Sequence, residues 1–515
     1  PEVVEKSFRA IAKECANDCV HWTFSPMLDI ARDPRWGRIA EGSGEDTYLD
    51  TQMGVAMVKG YQGETIDQTS MAACVKHFVA YGAPEAGREY NTVDMSERMF
   101  RDRYLPPYKA AINAGAGTVM TAFNDFDAIP VSGNKKILKN LLRDELGFEG
   151  FVVSDYNSVR EMTRHGVAAD NKEAAYKALS AYLDMEMTSG TYLNNVESLI
   201  EEGLISEDMI NQMCRNILVA KYNLGLFDDP FRYGGSDRFH QSIYKAEDLE
   251  FSRAVARESM VLLKNEDKVL PLKGTERIAL IGPYISCGEA MLGSWFAFGE
   301  EDRAMTIEEG FKNRFPGKVT AVKGCDPYQP LKDGIAEAVR TARNADVAVL
   351  TLGLPGNISG ESGSLTTVEI PDIQKELLAA VQATGKPVVL VLNEGRPRII
   401  NDLEPLADAG VDVLLPGNHG GDALAALLCG EENFSGKLPF TYPKYTNKFA
   451  VYDYKPAENQ ATMEGAYNYD AVMDVQWPFG HGLSYTTFEY SNMSVSSSKF
   501  DSGDELKVKV DVTNT

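Results

Sequence analysis

Positive charge is scarce in this chain. Its 515 residues carry 51 lysines and arginines against 75 aspartates and glutamates, a formal net charge of −24. Nucleic acid and anionic membrane surfaces both need concentrated positive charge, so neither is an expected partner. No run of about 18 apolar residues occurs, and no membrane-spanning helix is expected. There is no G-x-G-x-x-G or G-x-x-x-x-G-K-[ST] after any strand-like run, so nucleotide binding is not supported. No G-x-S-x-G elbow is present, which weakens a serine hydrolase reading. Histidines number six and cysteines seven. Cys15 and Cys19 stand four apart on a helical stretch, with no histidine at ligand spacing, and read as core residues. No cofactor and no metal is expected.

What remains is a chain with 44% hydrophobic and 24% charged residues, long enough for two or three soluble domains. It opens at Pro1 with no signal-like segment, directly into an amphipathic helix, and the start reads as cut.

The first part alternates helical patterns with short buried runs. Strands are expected at Phe24–Leu28, Ala73–His77, Thr118–Ala122, Gly150–Ser154 and Leu183–Met187. Helices are expected at Ser96–Ala114 and Lys135–Leu146. This spacing predicts βα units on a parallel sheet, short of the eight strands of a closed (β/α) barrel. Leu226–Ile243 is rich in Gly, Asp and Pro and reads as a linker, followed by a helix over Ala246–Leu263. A second α/β unit follows, with strands at Arg277–Ile281, Val319–Val322, Val347–Leu350, Val388–Leu392 and Val411–Leu415. Helices over Gly334–Arg343 and Ile373–Ala383 alternate with them, as in an open sheet covered on both faces. The last residues, Leu506–Val512, alternate as a strand that would open a β-sandwich.

Chemistry-bearing residues gather at strand ends of the first unit. Asp155 closes the run Gly150-Phe-Val-Val-Ser-Asp155, the place where a (β/α) barrel keeps its catalytic side chains. The same position also suits a helix cap. Arg32-Asp-Pro-Arg-Trp-Gly-Arg38 and Lys76-His77 end two other strands. Their side chains can donate several hydrogen bonds to hydroxyl groups, and Trp36 and Tyr156 offer flat faces to a sugar ring. The arginines could instead pair with Glu41, Glu45 and Asp46. Lys76 beside His77 argues against a metal there, because it would repel a cation.

Phe24-Ser-Pro-Met-Leu-Asp-Ile-Ala-Arg-Asp-Pro-Arg-Trp-Gly-Arg38 resembles the glycoside hydrolase family 3 signature. Lys76-His77-Phe78, Glu89-Tyr-Asn-Thr-Val-Asp-Met-Ser-Glu97, Gly150 to Asp155, Pro416-Gly417 with Gly420-Gly421, Ser435-Gly-Lys-Leu-Pro439 and Trp477-Pro-Phe-Gly-His-Gly-Leu-Ser-Tyr485 resemble it too, in family order. The likeness is to the bacterial β-glucosidase branch, and it implies a barrel, an α/β sandwich and a fibronectin type III domain. The fold class expected is therefore α/β: an incomplete (β/α) barrel over 1–228, a linker and connecting helix over 229–275 and an α/β sandwich over 276–442. A C-terminal extension follows over 443–490, and 491–515 would start a fibronectin type III-like domain.

The resemblance implies a retaining exo-acting β-glucosidase on small β-glucosides or cello-oligosaccharides. A β-xylosidase or other exo-β-glycosidase of the family, and a non-catalytic sugar-binding relative, are the alternatives. Asp155 matches the nucleophile, and Arg38, Lys76 and His77 match residues that hydrogen-bond the sugar. The acid/base would be Glu361, on a mobile Gly-rich loop over 357–364, with Glu369 as its rival. Lys76 and the arginines are expected to lower the pKa of Asp155. Trp295 resembles an aromatic beside the leaving group, although a core position is equally open. Tyr156 stands where relatives often have Trp, Phe123 where many have Tyr, and Leu365 where many have Arg. The family's first strands and its aspartate in a Gly-x-Asp-x-x-His-Gly motif have no counterpart in this sequence. A periplasmic or extracellular location follows from the resemblance alone. A small β-glucoside is the expected partner, with a homodimer left open.

Overall fold

The computed structural model describes residues 1–296, 299–356, 358–446, 451–453 and 474–515. Four parallel strands form the first sheet: β1 (Cys74–Phe78), β2 (Thr118–Thr121), β3 (Phe151–Tyr156) and β4 (Met185–Met187), side by side in that order. Residues of β2 and residues 151–155 of β3 are buried whichever way they point. Burial on both faces explains why these runs do not alternate strictly between apolar and polar residues.

The expected strand at Phe24–Leu28 is not a regular one. It meets β1 at one isolated bridge, Met27 with Lys76, and a further bridge of Trp22 with Ala72 precedes both. Pro26 is the physical reason, since it has no N–H to give to a ladder. The segment still runs beside β1, where the Lys76 and Cys74 N–H groups donate to the Pro26 and Ser25 carbonyls at 2.9 and 3.0 Å. The helix expected over Ser96–Ala114 is helical in pieces. Ser96 caps it by accepting the Met99 N–H, a wide turn covers Phe100–Tyr104, and a new helix starts at Pro106. Pro106 and Pro107 cannot donate to the preceding turn, so the pitch changes there.

The second sheet has six strands: β5 (Val261–Asn265), β6 (Ile278–Ile281), β7 (Val319–Val322), β8 (Val347–Leu352), β9 (Val388–Leu392) and β10 (Ala409–Asp412). Their order is β5-β10-β9-β8-β6-β7, all parallel except β5, which runs antiparallel to β10. The sequence reading missed β5. The helix expected to reach Leu263 ends at Ser259, and Val261-Leu262-Leu263 is a buried strand. Three consecutive apolar residues fit either period, and burial on both faces decides for the strand. This strand also moves the start of the second unit ahead of residue 276. The strand expected over Val411–Leu415 ends at Asp412, because Leu414 takes a left-handed φ of 48°.

Helices Ile307–Arg314 and Gly420–Leu428 pack on one face of this sheet, around Phe311 and Leu424. Helices Gly334–Arg343 and Asp372–Gln382 pack on the other, around Ala338 and Leu377. Each fully buried Leu or Val side chain contributes about 1.5–3 kcal/mol relative to exposure.

The stretch read as a linker, Leu226–Ile243, contains a helix at Ser236–Ser242. The extension over 443–490 lies partly outside the described residues. Its described part returns to the second unit through bridges of Trp477 with Tyr442 and Leu483 with Leu262. At the end, β11 (Phe488–Val495) and β12 (Val508–Asn514) form an antiparallel pair with exposed side chains. Cys15 packs against the first core, whereas Cys19 is exposed and not a core residue. No helix among the described residues is long and apolar enough to cross a membrane.

Candidate active site

Asp155 is the fifth residue of β3 and is 8% exposed. Its Oδ1 accepts the N–H of Tyr156 at 2.6 Å, and its Oδ2 faces His77 Nε2 at 3.3 Å. It does not cap the short helix Ser158–Glu161, whose first position follows Asn157 with no side-chain cap. The carboxylate is therefore directed into the space at the C-terminal ends of β1 and β3. That space is a cleft of about 730 Å³, within the usual range for small-ligand sites. Arg38, Lys76, His77, Phe123, Asp155, Tyr156, Trp295 and Glu361 all line it. The structure thus brings these eight expected residues to one place.

Arg38 is 2% exposed and makes two hydrogen bonds to Glu41, at 2.8 and 3.0 Å. Its Nη1 also lies 3.8 Å from Glu361 Oε2. Burial opposes its charge, but Glu41 more than offsets this and holds its pKa above the ordinary value, with Tyr81 and Glu361 adding. Of the expected arginine pairings, Arg38–Glu41 holds. Arg35 instead pairs with Asp33 at 2.6 Å, and Arg32 with Asp453.

Glu361 comes from the loop after β8. Its backbone is pinned to the first unit. Gly360 N–H donates to the Gly37 carbonyl at 2.7 Å, and Leu365 N–H to the Arg35 carbonyl at 3.1 Å. Ser364 Oγ accepts the Glu89 N–H at 2.8 Å. Arg396, 1% exposed, donates to the carbonyls of Pro34, Arg35, Ile358 and Gly363 and ties the loop to both units. Tyr90 Oη then donates to Glu361 Oε1 at 2.6 Å. Glu369, the rival, pairs with Lys375 at 3.1 Å and does not line the cleft.

Two expectations fail here. Trp36 is wholly buried, packed edge-on against Tyr81 with ring centroids 5.4 Å apart, and offers no face to a ligand. The most exposed aromatics of the cleft are Tyr156 and Trp295, at 63% and 59%, ahead of Phe24 and Tyr90, so Trp295 is not a core residue. The pKa of Asp155 is not lowered. Burial raises it to about 6; the Tyr156 N–H, Arg38 and Lys76 pull the other way, and Glu361 adds to the rise. Desolvation outweighs the cations, which the sequence pattern could not reveal.

Sequence reasoning also passed over two polar residues. Tyr90 lies inside the quoted Glu89-Tyr-Asn motif, and Asp29 inside the first signature. Asp29 is fully buried, and its Oδ2 lies 2.8 Å from His77 Nδ1. The signal for Asp29 was a carboxylate between Leu28 and Ile30, whereas Tyr90 stands among polar residues and offered none.

The glycosyl hydrolase family 3 N terminal domain matches residues 1–220, and the family's C-terminal domain matches residues 260–485. A periplasmic beta-glucosidase of Salmonella typhimurium is 39% identical over 98% of this chain and 70% of its own length. A beta-xylosidase of Formosa agariphila is 34% identical over all of this chain and 74% of its own. The crystal structure of a beta-glucosidase from Listeria innocua with isofagomine superposes with a TM-score of 0.94, at 38% identity, covering all of this chain and 74% of that one. The same enzyme has been crystallised, as a mutant, with laminaribiose (TM-score 0.94, 39% identity, all of this chain and 72% of that one). Over nearly its whole described length, this chain belongs to glycosyl hydrolase family 3.

Proposed function

We propose that this chain is an exo-acting β-glucosidase that removes terminal non-reducing β-D-glucosyl residues from small β-glucosides by double displacement. One observation carries the reading: two carboxylates from different units, Asp155 and Glu361, converge on a single cleft lined by hydrogen-bond donors. The β-glucosidases among the relatives support glucose as the sugar, and laminaribiose in the Listeria enzyme supports a short β-glucan as the substrate class.

In the first step Asp155 Oδ2 attacks the anomeric carbon. The C1–O bond breaks, its electron pair goes to the glycosidic oxygen, and Glu361 gives that oxygen a proton. In the second step the Glu361 carboxylate takes a proton from water. The water oxygen bonds to C1, and Asp155 leaves with its electron pair, so the sugar's configuration is retained. Arg38, Lys76 and His77 hold the sugar, while Tyr156 and Trp295 flank the leaving group.

The same reading makes the four-stranded sheet part of a (β/α) barrel, and the β11–β12 pair the opening of a fibronectin type III-like domain. A periplasmic or extracellular site is proposed from the name of the Salmonella relative.

Hydrolysis of a chromogenic β-glucoside against the matching β-xyloside tests the sugar. Preference for the xyloside would move the assignment to the xylosidases. Asp155→Asn must be inactive, and azide must rescue Glu361→Ala while giving a β-glycosyl azide. Rescue at Glu369 and not at Glu361 would reverse the second role.

A further inference from the structure

The contact that decides what His77 can do lies behind it, not in the cleft. Asp29 Oδ2 accepts the backbone N–H of His77 at 3.0 Å and stands 2.8 Å from Nδ1 of the same residue. Both residues are 1% exposed, so bulk water does not reach this contact. A backbone N–H is always a donor. The oxygen it points at therefore presents lone pairs, and with any proton of Asp29 on Oδ1, toward Tyr108, Nδ1 must carry a proton to bond to that same oxygen. Burial, with Arg38 and Lys76 nearby, keeps His77 neutral. A neutral ring with its proton on Nδ1 has none on Nε2.

We infer that Asp29 is a positioning residue: it fixes His77 as the Nδ1–H tautomer, so that Nε2 offers a lone pair, not an N–H, to Asp155 Oδ2 and to the sugar. The inference rests on the glycosidase reading for its consequence in turnover, but not for the tautomer itself. Two results follow. A sugar hydroxyl held by His77 must donate to it, which leaves that hydroxyl's oxygen free to accept from a cation such as Lys76. The 3.3 Å approach of Nε2 and Asp155 Oδ2 is attractive only when a proton lies between them, on the carboxyl. Burial of Asp155 favours that state below about pH 6, and a ligand hydroxyl that donates to Nε2 would compete with it.

The other oxygen of Asp29 explains how its own charge is handled. Oδ1 lies 2.8 Å from Tyr108 Oη, which is also 2.8 Å from the His77 carbonyl. The hydroxyl has one proton and the carbonyl can only accept. If Asp29 carries a proton on Oδ1, it donates to Tyr108, which donates to the carbonyl, and every buried group is satisfied. Burial supports this, raising the Asp29 pKa to about 7 against the pull of the His77 N–H and Tyr108. An asparagine at this position would be an isostere. Its carbonyl must face the two N–H groups, and its NH₂ would take the place of the Oδ1 proton.

The test uses protein labelled with ¹⁵N in histidine, with His77 assigned by its loss in a His77→Gln variant. Long-range ¹H–¹⁵N correlations should show Nδ1 protonated and Nε2 bare. Asp29→Asn should keep that pattern and keep kcat/KM on a chromogenic β-glucoside within about threefold of the parent. Asp29→Leu should lose the tautomer preference and at least about a hundredfold in kcat/KM, since a mis-set histidine tautomer costs up to about 10⁴ elsewhere. A protonated Nε2 in the parent overturns the inference, whether or not Asp29→Leu folds. So does an Asp29→Leu protein that keeps both the pattern and the activity. A parent that hydrolyses no β-glycoside would defeat the proposed function, while the spectrum would still decide the tautomer.

Discussion

Gly37 and Gly360 touch backbone to backbone across the two units. The Gly360 N–H donates to the Gly37 carbonyl at 2.7 Å, and a Cβ on Gly37 would lie 2.1 Å from the Gly360 carbonyl oxygen. No side chain larger than hydrogen fits there without moving one loop off the other. Because Glu361 is the next residue, the movement falls on the acid/base. Gly37→Ala should therefore lower kcat/KM by about a hundredfold, the usual consequence of a displacement of about 1 Å at a reacting group. The melting temperature should fall by only a few degrees, since neither core is opened. Measuring both on one preparation checks this. Unchanged activity would show that the loop tolerates the shift and that the contact does not position Glu361.

The pKa of Asp155 has a kinetic and a thermodynamic consequence. The groups facing it are His77 and Lys76 from β1, Arg38 from the signature loop and Glu361 from the second unit. Turnover needs the ionised carboxylate, so kcat/KM should fall as the pH drops through about 6. The stability sign is opposite to that of a surface aspartate. The folded pKa is raised from 3.8 to about 6, so the folded state binds more protons between these values. Stability is lost as pH rises through that window, and above it the ionised carboxylate costs on the order of 3 kcal/mol. Asp155→Asn should be inactive yet melt several degrees higher than the parent at pH 7.5, with a smaller difference at pH 4. Thermal scans at both pH values decide it, and an equal or absent gain would contradict the burial argument.

How much of this was legible in the sequence depended on whether the signal was local. Asp155, Lys76 and His77 end strands whose buried runs are visible as apolar blocks, so their placement could be read. Glu361 could be assigned to a loop, but its fixation could not be seen. The groups that pin it, Gly37, Tyr90 and Arg396, are more than thirty residues from it, the first two in another unit. Trp36 looked like a sugar platform because its neighbours are charged, yet those neighbours pair among themselves and leave the ring in the core. The strand β5 was hidden because a three-residue apolar run carries no period. The pKa of Asp155 was misjudged because charge is written in the sequence and desolvation is not.

Tyr90 supports Glu361 through one hydrogen bond of 2.6 Å, with burial and that bond together raising the phenol's own pKa. Tyr90→Phe keeps the ring, which packs edge-on against Phe123 at 5.0 Å, and removes only the hydroxyl. One such bond contributes about 1–1.5 kcal/mol, or about tenfold in rate. The loss should be selective. Alkyl β-glucosides need the full proton transfer from Glu361 and should slow about tenfold, whereas a dinitrophenyl glucoside, whose leaving group needs little protonation, should slow hardly at all. Equal slowing of both substrates would place the role of Tyr90 in sugar binding and not in support of the acid.

Trp295 projects from the second unit into the cleft and stays 59% exposed, an unusual state for so large an apolar surface unless something covers it in use. Tyr156, 63% exposed, stands in the same cleft. A leaving-group sugar lying between these faces would gain about 0.5–1.5 kcal/mol from one aromatic contact. Trp295→Ala should then raise KM for a glucose disaccharide about three- to tenfold and leave kcat near the parent value. For methyl β-glucoside, whose leaving group cannot reach the ring, neither constant should move much. Steady-state kinetics on both substrates separate the cases. An equal rise in KM for both would assign Trp295 to the glucosyl pocket and not to the leaving-group side.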